Sequence, residues 1–148
     1  MLEILHVAKE RCPNLRIVYL SSRIYAGYAT IGLNPELYAY ESTFSVRWLI
    51  QEQIRGDGEL NYDPAKGAAR CPLLLWGPYL WADGIRPRKS AGCTWEREDL
   101  AADGTHPSQE RGTTKAAKML LVFFQTSPFA RTWYLSPDAL KRITRSTG

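Results

Sequence analysis

The sequence contains no long hydrophobic run and no leader-like start. No uninterrupted apolar stretch approaches the roughly 20 residues that a membrane-spanning helix requires. The first residues lack the basic start and the cleavage pattern of a secretion signal. These absences predict a soluble chain. They leave its cellular location unknown, since a longer parent protein with an upstream signal would be secreted.

Histidine and cysteine are both scarce, with two and three residues respectively. The cysteines, Cys12, Cys71 and Cys93, lie far apart and include no Cys-x-x-Cys pair. We therefore expect reduced thiols that fill packing space, with one disulfide and one free thiol as the alternative. Because only His6 and His106 could join them, no structural zinc site is expected. No sequence feature indicates another metal or a cofactor.

The sequence also lacks a dense run of charge. Its formal net charge is +4, and much of this comes from the end of the chain, without a recognised nucleic-acid-binding module. We expect a solvated basic tail at 135–148, with no nucleic-acid or membrane partner. What the chain does have is 45% hydrophobic residues in a length of 148, which is enough for the single core of one domain. The charges at this end are Arg131, Lys141, Arg142 and Arg145, with Asp138.

Two apolar runs predict buried strands. Residues 15–20 are rich in branched and aromatic side chains, and residues 73–76 read Leu-Leu-Leu-Trp before Gly77-Pro78. Nearly continuous apolar runs of this length are typical of strands buried on both faces of a parallel sheet. Two such strands leave a long open edge, so a second copy or further strands are expected to cover it.

Helical periodicity surrounds these strands. Residues 2–11 have apolar positions near helical spacing and end at Cys12-Pro13, and residues 38–55 end at Gly56-Asp57-Gly58. A last helix is predicted from Ser108, as N-cap, to about Gln125. This order of elements indicates an α/β fold, a partial three-layer α/β/α sandwich. The apolar positions are Tyr40, Phe44, Trp48 and Ile54 in the middle helix, and Ala116, Met119 or Leu120, and Phe123 in the last.

Polar and aromatic side chains follow the first strand, in a loop predicted over 21–35. Open α/β sheets bind ligands beyond the carboxyl ends of their strands, so Arg23 and Tyr25 are candidate substrate-binding residues. Arg23 could hold a carboxylate or phosphate through two hydrogen bonds, or pair with Glu41 inside the fold. Tyr25 could stack on a sugar, or simply bury its ring. A second long loop, 82–107, has a length that is more often functional than idle.

The tetrapeptide Asp103-Gly104-Thr105-His106 is the strongest chemical signal in the chain. It places a histidine three residues after a carboxylate, directly before the last predicted helix. In serine hydrolases this pair supplies the general base and the carboxylate that orients it. The spacing predicts that the carboxylate can reach the imidazole. The alternative is that Asp103 caps a local turn and His106 is simply solvated.

The run from Asp103 through Pro107-Ser108, Gly112 and the apolar segment 120–124 resembles the last conserved block of the SGNH (GDSL-type) hydrolases. The segment 14–28 is similar to the penultimate strand and following loop of bacterial SGNH-like proteins. The resemblance covers most of residues 1–134 and implies the C-terminal portion of a flavodoxin-like SGNH fold that lacks its N-terminal strands. It also implies that Asp103 and His106 are catalytic.

The family's Gly-Asp-Ser nucleophile block and its Gly-x-Asn-Asp block have no counterpart in the chain. The resemblance therefore implies an esterase domain represented by its C-terminal half and inactive alone. Its substrates would be small acyl or carbohydrate esters, and its partner the N-terminal half or a second copy. The alternative is a non-catalytic binding or interaction module derived from the same fold.

Overall fold

The computed structural model describes residues 1–30, 32, 36–89 and 92–140. Part of the predicted loop 21–35, two residues of 82–107 and most of the predicted basic tail therefore lie outside the described residues. The elements in chain order are α1 (Leu2–Arg11), β1 (Ile17–Leu20), α2 (Glu36–Arg55), β2 (Leu73–Trp76), α3 (Gly112–Thr126) and the short α4 (Arg131–Tyr134), with 3₁₀ turns at Gly58–Leu60, Pro64–Lys66 and Arg97–Asp99.

Within the described residues the sheet consists of β1 and β2, which pair in parallel with Ile17 opposite Leu73 and Leu20 opposite Trp76. The α/β class and the two predicted strands are thus confirmed. The first strand begins two residues later than predicted, because Leu15 closes a turn by donating from its backbone to the Cys12 carbonyl (2.8 Å). The flavodoxin-like arrangement stays a prediction.

Helices pack on both faces of this small sheet. Side chains alternate along a strand, so Val18 and Leu74 face the cluster formed with Leu5 and the inner side of α2. Tyr19 points the other way, where its ring meets Phe123 edge-on at 5.3 Å between centroids. The sheet is therefore the middle layer, with α1 and α2 on one side and α3 on the other.

A glutamine covers the open edge of β2. The backbone N–H of Leu74 points away from β1 and donates to Oε1 of buried Gln53 (2.8 Å). The same side chain donates through Nε2 to the carbonyls of Leu60 (2.9 Å) and Pro72 (3.0 Å). One amide from α2 thus replaces part of a missing neighbouring strand, which keeps buried backbone groups paired.

The face of α2 that packs against the sheet is not the face that carries the predicted apolar positions. Val46 is buried, and Leu49 and Ile50 pack against the cluster around Leu5. The predicted apolar positions lie on the outside instead: Trp48 is 59% exposed and Ile54 is 79% exposed. The helix carries apolar residues on two faces, and only one of them meets the sheet. Tyr40 and Phe44 share this exposed outer face.

A second core lies under the long loop. Trp95 is fully buried and packs with Leu100, and Met119 and Ala116 of α3 pack against this cluster. Met119 therefore takes the inward position, and Leu120 is exposed. The three cysteines are free thiols, with Cys71 buried. None of the described helices is long and apolar enough to cross a membrane.

Candidate acid–base dyad in the 100–107 loop

Residues 100–107 form a closed loop in front of α3. Leu100 and Pro107 pair as an isolated antiparallel bridge, and the N–H of Ala101 donates to the carbonyl of His106 (2.8 Å). The Arg97 guanidinium donates to the carbonyls of Ala101 and Ala102, both at 2.9 Å. These bonds hold the loop that carries Asp103 and His106 in one conformation.

The segment after β1 supports the same loop. The N–H of Thr30 donates to the Asp103 carbonyl (3.1 Å). Gly104 has φ +67°, and a Cβ at this position would lie 1.7 Å from the Tyr28 carbonyl oxygen. Only glycine accommodates both the positive φ and this close backbone approach. The glycine inside the Asp-x-x-His tetrapeptide therefore lets two loops touch.

Asp103 serves two purposes with its two oxygens. Oδ1 accepts from the backbone N–H groups of Thr105 (2.9 Å) and His106 (3.1 Å), and these two bonds close a local turn. Oδ2 lies 2.6 Å from Nδ1 of the His106 ring. The predicted contact between carboxylate and imidazole is confirmed, and the turn that was its alternative is present as well.

These contacts favour the charged form of Asp103. The hydrogen bond with the His106 ring, followed by the two backbone N–H groups, lowers the pKa of Asp103 from 3.8 to about 2. The carboxylate is therefore ionised at any physiological pH. An ionised partner at Nδ1 holds that nitrogen as the N–H donor, which leaves Nε2 with the lone pair a general base needs.

The dyad is open to solvent. The His106 side chain is 76% exposed and that of Asp103 is 35% exposed. Neighbouring Ser108 is not free to act as its nucleophile, because its hydroxyl donates to the Glu98 carbonyl (2.9 Å) and accepts from the N–H of Gly112 (3.0 Å). The predicted N-cap, Ser108, is wrong: α3 begins at Gly112 with Arg111 as its N-cap, three residues later than predicted, and the Ser108 hydroxyl reaches the helix only through the Gly112 N–H.

An ion-pair network that the sequence analysis missed anchors the loop to α3. The Asp99 side chain is almost fully buried, contacts Nζ of Lys115, and lies 3.4 Å from Nε of Arg111. Burial raises its pKa, but the bond from Lys115, the N–H of Glu96 and the nearby positive charges lower it overall. Lys115 also donates to the Thr94 carbonyl (3.1 Å). The i, i+16 separation of Asp99 and Lys115 gives no local sequence signal.

The two predicted substrate-binding residues lie in the segment after β1. Arg23 is half-buried there. Tyr25 packs edge-on against Tyr28 (5.1 Å between centroids), and its ring folds over Gly27 and Gly84. Burial, and then the charges of nearby acids, raise the pKa of Tyr25. These contacts give Tyr25 a packing function, and a substrate contact for either residue stays a prediction.

Comparison of the chain with protein-family models, with curated proteins and with solved structures finds no match. Among the residues that the structure describes, no group of three or more histidine, cysteine or acidic side chains is placed to hold a metal ion. The site is therefore defined by its own geometry, a carboxylate–imidazole pair on a firmly held loop.

Proposed function

We propose that this chain is the C-terminal half of an SGNH-type ester hydrolase domain and contributes the acid–base part of its active site. The observation that carries the proposal is the 2.6 Å contact between Oδ2 of Asp103 and Nδ1 of His106. The parallel sheet and its helices on both faces are compatible with a fragment of the flavodoxin-like SGNH fold.

In this proposal Nε2 of His106 removes the proton from a serine hydroxyl as the oxygen attacks the ester carbonyl. The imidazolium then delivers that proton to the leaving alkoxide. Asp103 fixes the ring and stabilises its positive charge, which its lowered pKa of about 2 allows at neutral pH. The exposure of the His106 ring leaves room for a second segment to approach Nε2.

In this proposal the nucleophile and the oxyanion hole come from a segment outside this chain, because the sequence has no Gly-Asp-Ser or Gly-x-Asn-Asp block. The hydroxyl of Ser108, the serine nearest in sequence to His106, is already bonded to the Glu98 carbonyl and to the Gly112 N–H. Donors to the oxyanion are usually worth about 3 kcal/mol each, so the dyad alone should have little hydrolytic power. Small acyl or acetylated-carbohydrate esters are the substrates that the family resemblance implies.

The test compares ester hydrolysis by the chain alone with hydrolysis by a fusion. The fusion partner is the N-terminal half of an SGNH hydrolase that carries the Gly-Asp-Ser and Gly-x-Asn-Asp blocks. With p-nitrophenyl acetate, we expect no turnover by the chain alone above a His106→Ala control. We expect turnover by the fusion that falls at least about 100-fold with His106→Ala, the usual range for loss of a general base.

The matched control is His6→Ala, which removes the other histidine, whose Nε2 contacts the Glu59 carbonyl (2.7 Å) outside the dyad. It should leave hydrolysis by the fusion within about two-fold, and each variant should keep the helical circular dichroism of its parent. A folded fusion whose turnover is the same with and without His106 would contradict the proposal. So would His106-dependent turnover by the isolated chain, because it would reveal a nucleophile within it.

A non-catalytic binding module is the second candidate, and the exposed apolar residues favour it. Phe44 and Trp48 stack at 6.0 Å on the outer face of α2, and Trp48 is 59% exposed. Surfaces of this kind mark contacts with other proteins. The fusion experiment separates the two candidates, because a binding module would give no His106-dependent hydrolysis in either form.

A further inference from the structure

A cavity separate from the dyad lies between the segment that follows β2 and one side of α3. Its volume is about 410 Å³, within the range of about 300–1,000 Å³ typical of small-ligand sites. Its apolar surface comes from Pro78 on the loop side and from Met119, Val122 and Phe123 on the helix. Neither Asp103 nor His106 lines it.

Two cations border this apolar surface. Arg88 and Lys118 both line the cavity, one from the loop and one from α3. None of the ion pairs formed among residues 1–30, 32, 36–89 and 92–140 includes either of them. Their positive charges are therefore not neutralised by carboxylates of the described protein.

The bonds of Arg88 show that its position is fixed but its charge is not matched. Its guanidinium donates to the carbonyls of Tyr79 and Trp81 (3.2 Å for Trp81) and lies 5.2 Å above the centre of the Tyr79 ring. These partners are neutral. Its Nε is buried and lacks an acceptor among the described residues. Both bonds of the guanidinium to described residues come from Nη1, so Nη2, rather than the enclosed Nε, is the donor that a bound anion would meet.

The nearest ion-pair network does not compete for this role. Asp99 is held by Lys115 and Arg111 in the adjoining groove, and Arg111 also binds Glu96 (2.7 Å). Those charges are paired with one another. The charges at the apolar cavity that have no carboxylate partner in the described part of the chain are thus positive, and they complement the negative head group of a small ligand.

We propose that this cavity binds a small amphipathic carboxylate, with its head group between Arg88 and Lys118 and its apolar tail against Met119, Val122 and Phe123. The charge pattern selects the carboxylate, and the apolar surface selects an alkyl or aryl chain attached to it. The proposal does not depend on ester hydrolysis, because the cavity shares no residue with the dyad.

Octanoate is a suitable probe, with octanol and octylamine as neutral and cationic analogues of the same chain length. Binding is followed on the purified full chain by the NMR shift of the Met119 methyl group. We expect saturable binding of octanoate with a Kd of about 1 mM or below, and binding of octanol and octylamine at least about five-fold weaker.

Two lysine variants locate the anion contact. Lys118→Ala removes an exposed charge at the cavity and should weaken octanoate binding by about 5- to 10-fold, as expected for the net contribution of one ordinary hydrogen bond. Lys66→Ala removes an exposed lysine outside the cavity and should change binding by less than two-fold. Val122→Asn should weaken octanoate and octanol together, because it removes the surface for the tail.

The proposal is overturned if octanoate causes no saturable shift of Met119 by about 10 mM. It is also overturned if octanol binds as tightly as octanoate, since the cations would then contribute nothing. Equal effects of Lys118→Ala and Lys66→Ala would likewise contradict it, because they would mean general electrostatic attraction rather than a site.

Discussion

Gln53→Leu should destabilise the fold far more than an ordinary surface change on the same helix. Leucine keeps nearly the volume of glutamine, so little cavity is created, but all three hydrogen bonds of the side chain are lost. The N–H of Leu74 and the carbonyls of Leu60 and Pro72 would be left without partners in a buried place. An unsatisfied buried group costs about 1–3 kcal/mol.

Taking the lower value for each of the three groups, we expect a loss of about 3 kcal/mol of unfolding free energy. For a chain of this length that corresponds to a fall of roughly 10 °C in Tm. Urea unfolding followed by tryptophan fluorescence measures the free energy directly, and the five tryptophans of the chain provide the signal. Thermal unfolding followed by circular dichroism checks the Tm.

Gln51→Leu is the matched control. Gln51 lies two residues away on α2, is half-buried, and does not take part in this network. The control should change the unfolding free energy by less than about 0.5 kcal/mol. Two ordinary surface changes would leave the unfolding free energies of Gln53→Leu and Gln51→Leu within about 1 kcal/mol of each other. That result would show that the amide does not close the edge of β2, and the reasoning would be wrong.

Three further predictions follow from the loop and the surface. Gly104→Ala should lower the unfolding free energy by at least about 1 kcal/mol because of the positive φ, and by a further amount because the new Cβ displaces the Tyr28 backbone. In Gly92→Ala, where φ is +60° and nothing lies within 4 Å, urea unfolding should show only the loss due to φ. The Asp103 carboxylate, with its pKa lowered to about 2 from 3.8, should favour the folded state above about pH 4 and lose that contribution as the pH falls toward 2. In His106→Ala, the pKa of Asp103 measured by titration of its carboxyl ¹³C shift should move up toward 3.8. An unchanged midpoint would contradict the contact. Exposed apolar side chains on α1 (Ile4 and Val7) and on α2 (Trp48 and Ile54), together with the small sheet, should make the purified chain self-associate at micromolar concentration. A monodisperse monomer in light scattering with cooperative unfolding would contradict this.

Local signals predicted the elements wherever one strong terminator followed an apolar pattern. α1 spans the predicted residues 2–11 because Cys12-Pro13 ends it, and β2 spans 73–76 because Gly77-Pro78 follows. The start of α3 was predicted too early. The N-cap is Arg111 rather than Ser108, because residues 109–111 form a turn before the helix and the Ser108 hydroxyl reaches across it to the Gly112 N–H.

The inward face of α2 could not be read from periodicity. Apolar side chains lie on both faces, and the residue that binds the edge of the sheet is polar. Hydrophobicity selects Trp48 over Gln53 for burial, whereas the structure buries Gln53 and exposes Trp48. Gln53 is buried because the backbone groups at the open edge of β2 need hydrogen-bond partners, and this need depends on tertiary contacts.

The dyad was predictable because its members are three residues apart on one loop. Its supports were not, because they join distant parts of the chain. Lys115 reaches Asp99 from α3, and Thr30 reaches the Asp103 carbonyl from the segment after β1. Contacts of this separation leave no periodic or spacing signal in a single sequence. For the same reason, nothing in the sequence indicated that Arg88 and Lys118 line one cavity.

The central claim is that Asp103 fixes the His106 ring with its proton on Nδ1 and its lone pair on Nε2. Long-range ¹H–¹⁵N NMR of the imidazole, recorded at a pH where the ring is neutral, reports which nitrogen carries the proton. The account predicts the Nδ1–H tautomer in the native chain and its loss in Asp103→Ala. A native His106 that carries its proton on Nε2, or a tautomer unchanged by Asp103→Ala, would contradict the proposal that this pair is a general base and its orienting carboxylate.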